Sequence, residues 1–326
     1  MMKSYLLGID IGTSACKVAV FDRNGKVLAA ASGDYPVYYP HEGWAEQNPE
    51  EWWDAVCRAT KETIQKADIT ADEIAGIGID GQSWSAIPID REGNVLANTP
   101  IWMDTRAQSI CDRLNQEIGQ EEIFEVAGNS LQPSYSTAKI LWYKENLPEV
   151  YAKIYKILQS NSYIAFKLTG AVTQDVSQGY GLHCFNMKKG CWDEKMCKRL
   201  RIPMEFLPEI CDCDHVVGTV TGKAAAECGL VEGTPVVAGG LDAACGTLGA
   251  GVIHSGETQE QGGQAGGMSI CTEGYKADPR LVLSYHVVPG KWLLQGGTTG
   301  GGGVMRSFES VFADYGRMMK EQTGAS

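Results

Sequence analysis

An aspartate at the point where a short apolar run breaks on two glycines is the residue of this chain best suited to chemistry. The segment Val236-Val-Ala-Gly239-Gly240-Leu-Asp242-Ala-Ala244 reads as a buried strand over 236–238, a glycine break, and a small-residue helix over 243–248. A carboxylate at a strand-to-helix turn lies beside free backbone N–H groups, and glycines admit a ligand to close range. Asp242 is therefore placed to act as a general base. The alternative is that it only caps the helix, which Asp does well. A second candidate is the first turn, Asp10-Ile-Gly12-Thr13-Ser14, whose N–H and hydroxyl donors could cradle a phosphate while Asp10 holds Mg2+ through water. A tight hairpin needing nothing but glycine is the competing account. Trp84, Trp102, Asp104 and Arg106 put aromatic faces near paired polar groups, the set that a sugar-sized polyol requires. Core tryptophans and a surface ion pair would use the same residues.

Two glycine runs late in the chain, Gln261-Gly-Gly263-Gln264-Ala265-Gly266-Gly267 and Thr298-Thr299-Gly300-Gly301-Gly-Gly303, are candidate cradles for phosphate or adenine. Flexible loops are the plainer alternative, but low-complexity linkers seldom sit between apolar strands. Gly76, Gly78 and Gly81 spell GxGxxG within or just past a strand rather than at a strand-to-helix turn, so the dinucleotide reading fails. No GxxxxGK[ST] occurs, which closes the P-loop route. Cys211-Asp-Cys213-Asp-His215 offers poor tetrahedral geometry and reads as a surface loop rather than a metal site.

These residues need a scaffold. The opening reads as a meander of three antiparallel strands over 5–11, 15–21 and 27–31. Asn48-Pro49-Glu50-Glu51 is a helix start, with an N-cap, a proline at the first position and two acids in the first turn; the helix runs to about 66. A strand follows at 74–79, then helices over 107–118, 137–146, 148–155 and 162–168, with a strand fragment at 157–158. The stretch 171–215 gives no assignable pattern, and 218–228 reads as a strand turning into a helix. Beyond Asp242 come strands at 268–271, 281–287 and 292–297, then a helix from 304 to about 320. The domain division falls near 250, giving 1–250 and 251–326.

The 326 residues suffice for two domains, and 44% hydrophobic with 21% charged residues describes a soluble globular chain. A net charge of -12 argues against nucleic-acid partners but not against a small phosphorylated ligand. The start has no secretory h-region, and no apolar run approaches the ~20 residues that cross a bilayer. Eleven cysteines without a CxxC pair read as reduced thiols in the cytoplasm.

Taken together the residues resemble the FGGY family of carbohydrate kinases, its xylulokinase branch most closely. The resemblance rests on Gly8-Ile-Asp10-Ile-Gly-Thr13-Ser14 with Lys17, Gly43-Trp44-Ala-Glu46-Gln47, Gly81-Gln82, Trp102-Met-Asp104-Thr-Arg106, the block 134–146, and Gly239-Gly-Leu-Asp242-Ala-Ala244. It implies an actin/hexokinase-like α/β fold of two ribonuclease-H-like domains, the second incomplete, with a sugar bound by the first and ATP in the cleft. It implies further that Asp242 is the general base, that Asp10 organises Mg2+, and that Gly12, Thr13, Ser14 and Lys17 face the phosphates. Gln82, Ser83, Trp84, Asp104, Arg106 and Asp242 would contact the sugar. Gly263, Gln264, Ala265 and Gly266 would form the second phosphate loop, with Thr299, Gly300 and Gly301 near the nucleotide. The expected substrate is a ketose or polyol, a pentulose such as xylulose; the competing expectation is a non-catalytic sugar-binding or regulatory fragment. A homodimer is left open.

The chain departs from the xylulokinase pattern at places that bear on the substrate. Ser83-Trp84 stands where Met-His is usual, Ala243 where Asn is usual, and Tyr143 replaces an aliphatic residue or Phe. The sequence also stops at Ser326, before the late glycine-rich segment that the resemblance assigns to adenosine.

Overall fold

The computed structural model describes residues 4–262, 266–298 and 300–312. The meander is as expected: β1 (Tyr5–Ile11), β2 (Ala15–Phe21) and β3 (Val27–Asp34) pair antiparallel in sequence order. α1 (Pro49–Ala67) begins where Asn48 accepts a hydrogen bond from the Glu50 N–H at 3.0 Å. β4 (Ile74–Gly81) then lies parallel to β1, with Asp80 directly opposite Asp10. Helices follow: α2 (Gln108–Glu117), α3 (Gln120–Ala127), α4 (Ser136–Asn146), a single turn at Pro148–Tyr151, and α5 (Ser160–Thr169), the last closed by Gly170.

The sheet is completed by β5 (Val216–Thr219), which leads through α6 (Gly222–Cys228) into β6 (Pro235–Val237) and β7 (Gly240–Leu241). Its order is β5-β6-β4-β1-β2-β3, with β7 also pairing parallel to β4. Alternation along β1 and β2 buries Leu7, Ile9, Ile11, Cys16, Val18 and Val20 under α1 and α5, a face of largely β-branched and aliphatic side chains. α7 (Asp242–Gly249) springs directly from β7.

Beyond it β8 (Thr258–Gly262), β9 (Gly266–Glu273), β10 (Val282–Tyr285) and β11 (Lys291–Thr298) form an antiparallel sheet of order β8-β9-β11-β10, followed by α8 (Gly302–Phe312). Cys271, Leu283 and Leu293 of this sheet share one apolar cluster with Tyr135, Tyr180, Phe185 and Leu241.

The unassigned stretch contains Thr173–Asp175 paired parallel with Glu209–Cys211, and the helix Glu194–Leu200. The 211–215 segment is the expected surface turn, with Asp212, Asp214 and His215 exposed, but Cys213 points inward and is buried, its sulfur 3.8 Å from Asp175 Oδ1. Among the described residues no group of three His, Cys, Asp or Glu side chains could hold a metal ion. Gly263, Gln264, Ala265 and Thr299 lie outside the described residues, as does the expected helix beyond 312.

Candidate active site

The C-terminal ends of three parallel strands bring the chemistry together. Asp10 on β1 lies opposite Asp80 on β4, and Gly240 on β7 lies opposite Asp80 on its other side. Gly239 turns the chain between β6 and β7 at φ +74, a conformation that favours glycine. A buried polar network grips this turn from both sides. Asn161 Nδ2 donates to Ala238 O at 3.1 Å and to Asp175 Oδ2 at 2.9 Å. Ser177 Oγ accepts from the Leu241 N–H at 2.9 Å and donates to Asp175 Oδ1. Asp242 emerges from the gripped turn as the first residue of α7, with Leu241 at the cap position. Its Oδ1 accepts from the next residue's N–H, Ala243, at 2.6 Å, so it does not cap the helix in the usual way, which uses the N–H groups two or three residues on.

Two cavities meet at this carboxylate. The smaller, of about 250 Å³, is walled by Ser83, Trp84, Trp102 and Tyr180, with Gln261 and Gln295 from the second sheet opposite. The larger, of about 1050 Å³, holds Asp10, Gly12, Thr13, Ser14, Lys17 and Asp80. Asp242 and Gln261 line both. Trp102 Nε1 donates to Thr13 Oγ1 at 3.0 Å, which ties the wall of the small cavity to the hairpin of the large one. Gly266 lines the small cavity with Gly301 beside it; Gly300 accepts from Thr298 Oγ1 at 2.9 Å.

Burial pushes the Asp242 carboxyl up to about 7, with the Ala243 N–H and Lys17 opposing the rise and Asp10 adding to it. Asp80 is raised well above the carboxylate range by burial and by its neighbours Asp10 and Asp242. Lys17 Nζ pairs with Asp10 Oδ2 at 2.8 Å, which raises the ammonium in turn. A carboxyl whose folded pKa is raised binds more proton when folded than unfolded. Its contribution to stability is full below the unfolded value of ~3.9 and is lost as pH climbs through about 7. Asp242→Asn, which does not titrate, should therefore gain stability on the natural chain across that window. Urea midpoints taken from about pH 4 to about pH 8 test this, and a difference that stays flat with pH refutes it.

Not every expected sugar contact reaches the cavity. Ser83 and Trp84 do. Gln82 does not: it is buried, donating to Gln47 Oε1 at 2.8 Å, while Gln47 Nε2 donates to Thr13 O at 2.8 Å, so it props the hairpin instead. Asp104 is fully buried and accepts from the Ala45 N–H at 2.7 Å and from Arg106 Nε at 2.9 Å. Arg106 also reaches Glu46 at 2.7 Å and stacks over Trp44 at 3.8 Å. This ion pair is interior rather than a surface pair, and it locks the Trp102 loop from behind.

α4 braces the same wall. Ser136, Lys139 and Tyr143 occupy one stripe of the helix and donate to the Ser85, Trp84 and Ala86 carbonyls at 2.8–3.0 Å. Lys139 Nζ also donates to Ile101 O at 2.8 Å, and Tyr143 Oη to Asn98 O at 3.2 Å. Burial lowers the Lys139 ammonium to about 7. Trp84, at φ +60, stacks on Tyr135 with centroids 4.2 Å apart, and Tyr180 Oη donates to Ser83 Oγ at 2.8 Å. Lys139→Met leaves two buried carbonyls without this donor, at ~1–3 kcal/mol each. Unfolding in urea should register a loss of about 3 kcal/mol; under ~1 kcal/mol would show that the carbonyls find other donors. Asp80, Tyr180, Gln295 and Lys139 are the residues of this region that sequence reasoning missed, while Gln261, at the head of the first glycine run, lines both cavities.

The topology, with its carboxylate between two cavities, matches that of solved carbohydrate-kinase structures. The structure of xylulose kinase from Rhodospirillum rubrum superposes with a TM-score of 0.90 at 28% identity, covering 98% of this chain and 65% of that one. The chain belongs to the FGGY family of carbohydrate kinases, whose N-terminal domain matches residues 5–249. It is 34% identical to the xylulose kinase of Bacillus subtilis (strain 168), over 78% of this chain and 51% of that relative. It is 30% identical to the xylulose kinase of Escherichia coli (strain K12), over 88% of this chain and 59% of that relative. The chain thus spans between half and two thirds of the length of these relatives. Among the described residues no helix is long and apolar enough to cross a membrane.

Proposed function

We propose that this chain carries the sugar side and the catalytic carboxylate of a cytoplasmic, ATP-dependent sugar kinase. Residues 1–250 form its N-terminal domain and 251–326 the beginning of its nucleotide-side domain. The observation that carries this reading is the position of Asp242 at the meeting of an aromatic, sugar-sized cavity and a larger polar one. Phosphoryl transfer asks a protein for alignment, charge stabilisation and a proton acceptor more than for covalent chemistry. A sugar hydroxyl directed at Asp242 loses its proton to that carboxylate as its oxygen bonds the terminal phosphorus and the bond to the ADP oxygen breaks. Gly12, Thr13 and Ser14 supply N–H and hydroxyl donors to the phosphates, and Lys17 a cation.

The large cavity suits Mg2+, because it offers Asp10 and Asp80 as oxygen donors and hard cations prefer oxygen. Asp10 would hold the ion, through water, and the ion would neutralise charge on the phosphate oxygens. The substrate we assign is a ketose or polyol, a pentulose such as xylulose, supported by the relatives named as xylulose kinases. A coupled ADP-release assay against pentuloses, hexuloses and polyols tests this, on the chain and on a form extended with the C-terminal part that its relatives carry.

The coverage of 51–59% of these relatives favours one second reading, a sugar-binding piece without turnover. Sugar binding with no ADP release from the extended form would select it.

A further inference from the structure

Away from the cavities, two helices far apart in sequence bring a pair of thiols into contact. Cys57 on α1 and Cys228, the last residue of α6, stand 171 positions apart in the chain, and their sulfurs lie 2.7 Å from each other. The bonded distance is ~2.05 Å, so closure needs only a small adjustment of two side chains. The helices are already registered on both sides of the pair. Trp53 Nε1, one turn before Cys57, donates to Glu227 Oε2 at 2.7 Å. Lys61, one turn after it, runs alongside Gly229, where an added Cβ would stand 3.0 Å from Lys61 Cγ. Cys57 is partly exposed and Cys228 fully buried, so an oxidant reaches the first and the second is shielded from everything except its neighbour.

We propose that Cys57 and Cys228 are a modification site: a reversible disulfide, formed by peroxide, that staples α1 to α6. The Cys57 thiolate attacks one peroxide oxygen, the O–O bond breaks, and a sulfenic acid forms as hydroxide leaves and takes up a proton as water. The Cys228 sulfur then attacks the Cys57 sulfur, the S–S bond forms, the S–O bond breaks, and the second oxygen leaves as water. Two thiols supply the two electrons, and hydrogen peroxide becomes two waters. The hydrogen bond to Cys57 and burial hold the Cys228 thiol protonated well above the usual thiol range, with Lys61 pulling the other way. That order of events suits Cys57 as the first sulfur oxidised and Cys228 as the resolving one.

A second thiol pair provides an internal comparison. Cys184 and Cys197 interact with each other, but both are buried, with exposures of 0% and 1%. Proximity without access should not suffice.

The purified chain, treated with hydrogen peroxide, alkylated and digested without reduction, should yield a Cys57–Cys228 cross-linked peptide that dithiothreitol removes. Cys184 and Cys197 should be recovered as alkylated thiols. The bridge closes a long loop, so the oxidised chain should melt higher than the reduced one by about 5 °C or more. Cys57→Ser and Cys228→Ser should each lose both the cross-link and the oxidant-dependent shift while melting near the reduced natural chain. Recovery of Cys57 as a sulfinic acid or an alkylated thiol, with Cys228 alkylated, overturns the proposal. So does a bridge from Cys57 to any other cysteine.

Discussion

Asp242→Asn should lower phosphoryl transfer by about 10²–10⁴-fold while sugar binding survives. The substitution keeps the shape of the side chain and removes only its capacity to take a proton. Since Asp242 lines both cavities, Asn still fills the junction and the aromatic wall of Trp84, Trp102 and Tyr180 is untouched. Turnover should therefore collapse with little change in KM, the signature of an interaction made in the transition state. The pH profile adds an independent reading. Burial raises the carboxyl to about 7, so the natural protein should lose kcat/KM as pH falls through neutrality, because the protonated acid cannot serve as base. Phosphates and Mg2+ bound as proposed would alter the charge around Asp242, so kcat and kcat/KM need not share one midpoint. In Asp242→Asn that acid limb should vanish from whatever activity is left. The measurement is coupled ADP release across about pH 5–9 on the extended form. Retained turnover within ~10-fold would remove Asp242 as the base, and lost turnover with an unchanged acid limb would assign the titration to another group.

Much of this arrangement is legible in the sequence because it is locally encoded. The hairpin at Asp10–Ser14, the Asn48-Pro49 helix start and the glycine break before Asp242 each declare themselves within a few residues. What stayed hidden depends on long-range placement. Asp80 looks like any polar residue ending a strand; its importance comes from β4 lying between β1 and β7, which puts it opposite Asp10 on one side and Gly240 on the other. β8 consists of Thr, Gln, Glu, Gln and Gly, with no apolar alternation to read, and is a strand because β9 pairs with it. Gln261 reaches the junction of the cavities only through that pairing.

The sugar-side motif shows the opposite case: three of its polar residues are buried behind the cavity wall rather than lining it. Asp104, Arg106 and Gln82 carry the polarity expected of ligand contacts, yet Asp104 and Arg106 pair inside the protein and Gln82 donates to Gln47, its own Oε1 buried without a partner. Sequence alone does not distinguish a polar group aimed at a ligand from one aimed at the loop that holds the ligand's neighbour. Tyr143 is a related case. Its hydroxyl departs from the aliphatic family pattern and reaches the Ala86 and Asn98 carbonyls, extending the bracing that Lys139 begins.

Gly239→Ala should be the most damaging glycine-to-alanine change among the described residues. Two separate terms act there. The left-handed backbone at φ +74 disfavours any L side chain by ~1–2 kcal/mol. In addition, an added Cβ would stand 1.7 Å from the Ile79 carbonyl oxygen and 2.7 Å from its carbon, inside the central strand β4. Backbone in a hydrogen-bonded sheet cannot rotate aside as a side chain can, so the β6–β7 turn must move away from β4. Asp242, three residues on, moves with it. We expect a total loss above ~4 kcal/mol, a large share of the 5–15 kcal/mol that typically separates folded from unfolded states. Gly25→Ala isolates the first term, because Gly25 has φ +80 but nothing within 4 Å of its added Cβ. That variant should lose only ~1–2 kcal/mol in urea unfolding. If the two variants unfold at the same midpoint, the contact with Ile79 relaxes freely, and the turn that presents Asp242 is not held against β4 as described.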